Sequence, residues 1–196
     1  CTFTSTHLGS ITAVENWTQS DDVSSSLTLA DANIADGKAL TIDITSIIDS
    51  SNTGAVNLVA DTNGISTVHG GTGVDTITGS SSDLGDTING NAGADIIKFV
   101  AAQLTTLDTV DGGTGSDTVQ IITTAATLAD ADFTGLSNIE ALTFVVASSD
   151  TDLGAQYSES GSSTITLGAL TNDLNLDNVT TAQTLNLVAG TDTIDA

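Results

Sequence analysis

The chain of 196 residues contains no proline, no methionine and no arginine, and only one cysteine and two lysines. Each shortage excludes something. A single cysteine, Cys1, forms no internal bridge, so no disulfide framework holds this fold. Two basic residues cannot build the positive patch that nucleic acid or an anionic membrane face requires. No apolar run reaches eighteen residues, so there is no transmembrane helix. Thr, Gly, Asn and Asp are common and no long stripe of period 3.6 exists, which argues against a helical fold. Only Leu128 to Leu136 offers a short helical turn. The chain starts at Cys1 without an initiator methionine and reads as processed or excised. One residue is not a lipidation motif, so Cys1 reads as an ordinary thiol or tag remnant before a lipidated one.

What is abundant is aspartate. Of 25 acidic residues only Glu15, Glu140 and Glu159 are glutamates, and the formal net charge is −23. Such self-repulsion opposes a compact state unless something neutralises it. The composition is nevertheless not that of a disordered acidic tail: 39% of residues are hydrophobic, enough to fill a core.

Three glycine-aspartate loops stand out: Gly70-Gly71-Thr72-Gly73-Val74-Asp75, Gly90-Asn91-Ala92-Gly93-Ala94-Asp95 and Gly112-Gly113-Thr114-Gly115-Ser116-Asp117. Two residues after each aspartate comes an aliphatic: Ile77, Ile97 and Val119. This is the nonapeptide of a parallel β-solenoid that holds calcium between its turns. Glycine lets the backbone turn its carbonyls toward one point, aspartate adds a charged oxygen, and calcium takes six to eight such ligands. The aliphatic register reads Val59, Val68, Ile77, Ile88, Ile97, Val110 and Val119, in steps of nine, nine, eleven, nine, thirteen and nine. Two positions before each stand Asn57, Ser66, Asp75, Asp86, Asp95, Asp108 and Asp117. Complete loops alternate with degenerate ones, so a two-sided roll stacks the complete loops on one side, with two inter-loop calcium positions. The other side carries insertions around Asp83-Leu84-Gly85-Asp86 and from Phe99 to Leu107, and is expected to bind calcium poorly.

Over roughly residues 61 to 120 the chain resembles the RTX family of secreted calcium-binding repeat proteins. The resemblance implies a right-handed β-roll that folds on binding Ca2+, and type I export from a Gram-negative bacterium. Carried over by position, Asp75, Asp95 and Asp117 would be side-chain ligands, with Asp86 and Asp108 as weaker candidates opposite. Gly71, Gly73, Asn91, Gly93, Gly113 and Gly115 would offer backbone carbonyls. Asn91 departs from the pattern, standing where the motif has glycine.

The flanks read as strands. Ser25 to Leu29, Leu40 to Thr45, Ser163 to Leu167, Leu174 to Leu176 and Thr184 to Leu187 alternate apolar residues with polar ones, mostly Thr or Ser. An internal duplication relates Thr28-Leu29-Ala30-Asp31-Ala32-Asn33-Ile34 to Thr127-Leu128-Ala129-Asp130-Ala131-Asp132-Phe133. Gly190-Thr191-Asp192-Thr193-Ile194 looks like the start of another calcium loop. The run Ser137-Asn138-Ile139-Glu140-Ala141-Leu142-Thr143 looks like flanking repeats of RTX-type surface-layer proteins and giant adhesins. The expected fold is all-β: a parallel β-roll at 56–122, a β-strand flank at 1–55 and a β-strand repeat at 123–196.

No catalytic constellation is visible. His7 and His69 lie in no nucleophile or zinc motif, and His69 directly precedes a glycine loop. The glycine loops lack the P-loop lysine, and Asn16-Trp17-Thr18 and Asn178-Val179-Thr180 read as chance sequons. The expectation is a non-enzymatic, calcium-dependent extracellular or cell-surface protein. Three roles remain open: a self-assembling surface-layer or filament subunit, a repeat of a large secreted adhesin, or the non-catalytic secretion part of a type I-secreted hydrolase. The expected partners are copies of the same chain or neighbouring repeats of a longer one.

Overall fold

The computed structural model describes residues 2–3, 12–123, 127–146, 150–169 and 171–196; Cys1 and His7 lie outside them. Within them the chain winds into a parallel β-solenoid. One sheet has nine strands, in the order Thr2–Phe3, Ser25–Ala30, Gly54–Ala60, Thr76–Thr78, Ile96–Phe99, Thr118–Ile121, Ala141–Phe144, Thr164–Thr166 and Thr184–Asn186. Facing it is a six-stranded sheet: Asn16–Thr18, Ala39–Asp43, Ile65–His69, Asp86–Asn89, Thr109–Asp111 and Leu136–Ser137. Toward the C-terminus a three-stranded sheet takes over, made of Thr151–Asp152, Asn172–Asn175 and Asp192–Asp195. Each turn therefore contributes one rung to each of two sheets and pairs only with the turns before and after it. The all-β, parallel solenoid class expected from the nonapeptides is the class observed.

The core is a pair of aliphatic ladders. In the nine-stranded sheet Leu27, Val56, Ile77, Ile97, Val119, Leu142 and Ile165 stand in register. In the facing sheet Ile42, Val68, Ile88, Val110 and Leu136 do the same. All of these side chains are buried. Phe99, Ile121 and Phe144 form a further registered row at the strand ends. Period-2 alternation explains the arrangement: in a parallel stack, like residues fall on like, and every inward position becomes a continuous apolar row.

The register differs from the sequence expectation in its first step. Val56, not Val59, pairs with Ile77. Val56 and Leu58 point inward, whereas Val59 is only half-buried. The position two before the aliphatic is accordingly Gly54, and Asn57 plays no part in that column. From Val68 to Val119 the expected alternation between the two sheets holds.

The first sheet runs through both sequence-based borders: Gly54–Ala60 spans residues 55 and 56, and Thr118–Ile121 pairs with Ala141–Phe144. The internal duplication is visible as structure. Asp31–Asn33 and Asp130–Phe133 are both short 3-10 turns, Asp130–Phe133 within the helical turn expected between Leu128 and Leu136. In each, the third residue's side chain accepts from the backbone N–H of the alanine before the turn: Ala30 N to Asn33 Oδ1, 2.9 Å, and Ala129 N to Asp132 Oδ2, 3.0 Å. Two further helical pieces had no sequence signal, a 3-10 turn at Ala101–Gln103 and an α-helix at Ala155–Glu159. At the terminal Gly-Thr-Asp segment, Asp192–Asp195 is a strand paired with Asn172–Asn175.

Replacing Ile97, fully buried in the middle of its row, by Ala is expected to cost about 2–5 kcal/mol. Val59→Ala, half-exposed, is expected to change stability by less than about 1 kcal/mol. Urea denaturation of the two variants reads the difference, and similar losses would contradict a register that turns Val56 inward and Val59 outward.

Candidate metal centre

The three glycine loops stack along one edge of the nine-stranded sheet, where the chain leaves the six-stranded sheet. Thr114-Gly115 pairs with Ala92-Gly93, which aligns Gly113 with Asn91 and Asp117 with Asp95. Asp75 stands one rung before, in line with Asp95. The pairing also brings Gly54 and Glu140 into this column, at its two ends.

Along the column each carboxylate accepts the backbone N–H of its counterpart one rung earlier. Gly54 N donates to Asp75 Oδ1 (2.6 Å), Asp75 N to Asp95 Oδ1 (2.8 Å), Asp95 N to Asp117 Oδ1 (2.8 Å) and Asp117 N to Glu140 Oε2 (2.6 Å). Asp75, Asp95 and Asp117 are buried, at 0%, 1% and 0% exposure. Buried carboxylates that accept one backbone bond each retain a second oxygen, and the fate of that oxygen differs between rungs. Asp75 Oδ2 accepts from Gly71 N at 2.6 Å. Asp95 Oδ2 and Asp117 Oδ2 have no hydrogen-bond partner.

The cause of that difference lies four to six residues upstream of each aspartate. The loop N–H that satisfies Asp75 is diverted in the next two rungs: Asn91 N donates to Asn89 Oδ1 (2.9 Å) and Gly113 N to Asp111 Oδ1 (3.0 Å). Asn89 and Asp111 are in register with His69, which makes no such turn with Gly71. An Asn or Asp at this position captures the N–H in a local turn and leaves the downstream carboxylate oxygen bare. The first loop also takes a different path, without the positive φ of Asn91, Gly93, Gly113 and Gly115, and Thr72 N donates to Ile47 O at 2.9 Å.

What faces the bare oxygens is backbone carbonyl. A Cβ at Gly90 would lie 2.5 Å from Gly112 O and overlap Asp95 Oδ2. At Gly112 it would overlap Asn138 O and lie 2.8 Å from Asp117 Oδ2. The same holds for Gly70, which is 2.5 Å by this measure from Gly90 O and 2.7 Å from Asp75 Oδ2. Glycine at these three positions makes room for a carboxylate oxygen and the next turn's carbonyl to approach together. Of the carbonyls carried over from the repeat pattern, Gly71 O accepts from Ala92 N (3.3 Å) and Asn91 O from Thr114 N (2.7 Å). Gly73 O packs against Gly93, and Gly93 O against Gly115. The Asn91 side chain donates to Gly70 O at 2.6 Å. Gly113 and Gly115 have positive φ, 95° and 150°, in the region that favours glycine. A cleft of about 240 Å³ opens over the first loop between Thr45, Gly70, Gly71, Thr72 and Asn91.

Asp86 and Asp108 lie on the other edge, away from the glycine loops, in line with Ser66. They repeat the same contact, Asp86 N donating to Asp108 Oδ1 at 2.7 Å. Here the remaining oxygens are occupied. Ser80 N and Oγ donate to Asp86 at 2.7 and 3.0 Å, and Thr105 N donates to Asp108 Oδ2 at 2.7 Å. The insertions noted in the sequence supply these donors.

Burial pushes the Asp95 carboxyl up to about 7, with the Asp75 and Asp117 charges adding to it. Asp86 rises to about 6, again mainly through burial and then through Asp108. Asp75, Asp108 and Asp117 are raised too, each chiefly by burial. Among the described residues no three His, Cys, Asp or Glu side chains converge on one point. An ion here would have to take most of its shell from backbone carbonyls and water. With that proviso the donors fit calcium: hard oxygens only, including two bare buried carboxylate oxygens.

Comparison with family models, curated proteins and solved structures found no match. Three residues of the column were not singled out as candidates in the sequence: Gly112 and Asn138, whose carbonyls lie beside the bare oxygens, and Glu140, which ends the carboxylate line. Glu140 follows a turn without a second glycine, so the loop pattern does not reach it.

The raised carboxyls fix the sign of a pH effect. A group whose folded pKa exceeds its unfolded value favours the fold fully below the unfolded value, near 3.8, and that contribution is lost as pH rises through the folded value. The metal-free chain is therefore expected to gain β-structure as pH falls from about 7.5 to about 5, read by circular dichroism in chelator. An unchanged or weaker signal at the acidic end would contradict the burial of these carboxyls.

Proposed function

We propose that this chain is a calcium-dependent extracellular structural protein of RTX type, a self-assembling surface-layer or filament subunit. The observation that carries the reading is the column Asp75–Asp95–Asp117, buried between stacked glycine loops with one oxygen of Asp95 and one of Asp117 bare. A divalent ion at each bare oxygen would supply the missing positive charge and tie one turn to the next. A burden of −23 makes that neutralisation matter for the whole chain. Extracellular calcium modules bind at about 10⁻⁴–10⁻³ M. An ion present at about a hundred times its dissociation constant adds about 2.7 kcal/mol, a sizeable share of a domain's margin of about 5–15 kcal/mol. The setting that suits such affinities is one rich in calcium, outside the cell.

Each turn pairs only with the turns before and after it, so the fold can be extended by a further rung. In a filament or layer that rung would come from a second copy, and in a long adhesin from a neighbouring repeat.

Calcium titration followed by circular dichroism, with light scattering on the same samples, tests the reading. The expected outcome is β-structure appearing with calcium while particles grow. Folding without growth would favour the adhesin repeat, and no response to calcium would overturn the metal reading. Within the column, Asp95→Ala is expected to weaken calcium binding by roughly tenfold or more, against a smaller loss for Asp75→Ala, whose oxygens already hold Gly54 and Gly71. Isothermal calorimetry measures both, and equal losses would contradict the assignment of the bare oxygens.

A further inference from the structure

The loop pattern ends at Asp117, but the column does not. We infer that a cation position lies beyond the third glycine loop, between Gly112–Asp117 and the turn Asn138–Glu140, with Asp117, the Asn138 carbonyl and Glu140 as its protein ligands. The inference rests on the calcium reading above and extends it to a turn that lacks the repeat.

Four observations converge on this junction. Asp117 is fully buried and its Oδ2 has no partner. That oxygen is directed to the space where Gly112 lacks a side chain, the same space that the Asn138 carbonyl enters from the next turn. Glu140 occupies the aspartate position of the following rung, as Thr118 pairs with Ala141, and its Oε2 holds Asp117 N at 2.6 Å. The geometry around Gly112 repeats that around Gly90, where Asp95 Oδ2 meets Gly112 O. The junction is thus the second of two equivalent positions, and the one built partly from non-repeat sequence.

The turn is adapted to the role. Asn138 takes a positive φ of 53° in a turn much shorter than the glycine loops, which it can adopt more readily than most residues. Its amide donates to Asp111 Oδ1 at 2.7 Å, the oxygen that also captures Gly113 N. Asn138 therefore helps fix the local turn that leaves Asp117 Oδ2 bare. A glutamate where the loops have aspartate offsets the missing residues, because its longer side chain reaches back to the Asp117 N–H.

Two charge-neutralising variants test this. Glu140→Gln keeps an oxygen to accept the Asp117 N–H but removes the charge. Asp177→Asn removes a charge from an exposed position away from the column. Equilibrium dialysis against calcium counts the ions on each full chain, with circular dichroism confirming the fold. The expected result is one ion fewer on Glu140→Gln than on the wild type, and an unchanged count on Asp177→Asn. A wild-type count and affinity in Glu140→Gln would overturn the junction position while leaving the calcium reading intact. An absence of bound calcium on the wild type would overturn both.

Discussion

The contact on which this structure depends is a backbone N–H donated to the carboxylate of the same residue one rung later. It occurs from Gly54 through Asp75, Asp95 and Asp117 to Glu140, and again from Asp86 to Asp108. The aliphatic rows hold adjacent turns together without fixing them, because apolar contact is not directional. The carboxylate contacts are directional, and together with the parallel backbone ladder they fix the stagger of the turns they join. Their drawback is that charges enter a dry interior, where an unpaired oxygen is costly. On one edge the insertions supply hydroxyl and amide donors that occupy those oxygens. On the glycine-loop edge the local turns at Asn89 and Asp111 withhold them. The same contact thus yields one edge where the oxygens of Asp86 and Asp108 are all occupied and one with two bare carboxylate oxygens, the place of the proposed cations.

This asymmetry accounts for the shape of the repeat. Glycine at 70, 90 and 112 is where carboxylate and carbonyl crowd together, so a side chain there would displace one of them. The first rung differs from the next two in carrying His69 in place of an Asn or Asp, and in the path of its loop, which has no positive φ at Gly71 or Gly73. Both oxygens of Asp75 are occupied there, so the proposed cations belong to the later rungs.

Much of the fold was legible in the sequence because the solenoid is a local code repeated. The spacing from Val68 to Val119 specified which rung faces which, and the Gly-Asp loops located Asp75, Asp95 and Asp117 on one edge. The rest was hidden for identifiable reasons. Val59 satisfied the nine-residue count, but alternation within Gly54–Ala60 turns Val56 and Leu58 inward. Ala155–Glu159 has no cap of its own in sequence. Its first N–H groups are held by Asp130 from another turn: Gly154 N at 2.8 Å, Gln156 N at 3.2 Å and Tyr157 N at 2.9 Å. Tyr157 is then buried edge-on against Phe133, with ring centres 5.7 Å apart. Glu140 escaped notice because column membership follows strand pairing, not loop composition.

The most direct test is residue-resolved amide hydrogen exchange with calcium and then with chelator. The N–H groups of Asp75, Asp95 and Asp117 are the links of the column, and each reports its own rung. Strong protection of all three in calcium, lost in chelator at neutral pH, is the expected result. Equal protection in both conditions would show that the column stands without a cation, contrary to the role assigned to its bare oxygens.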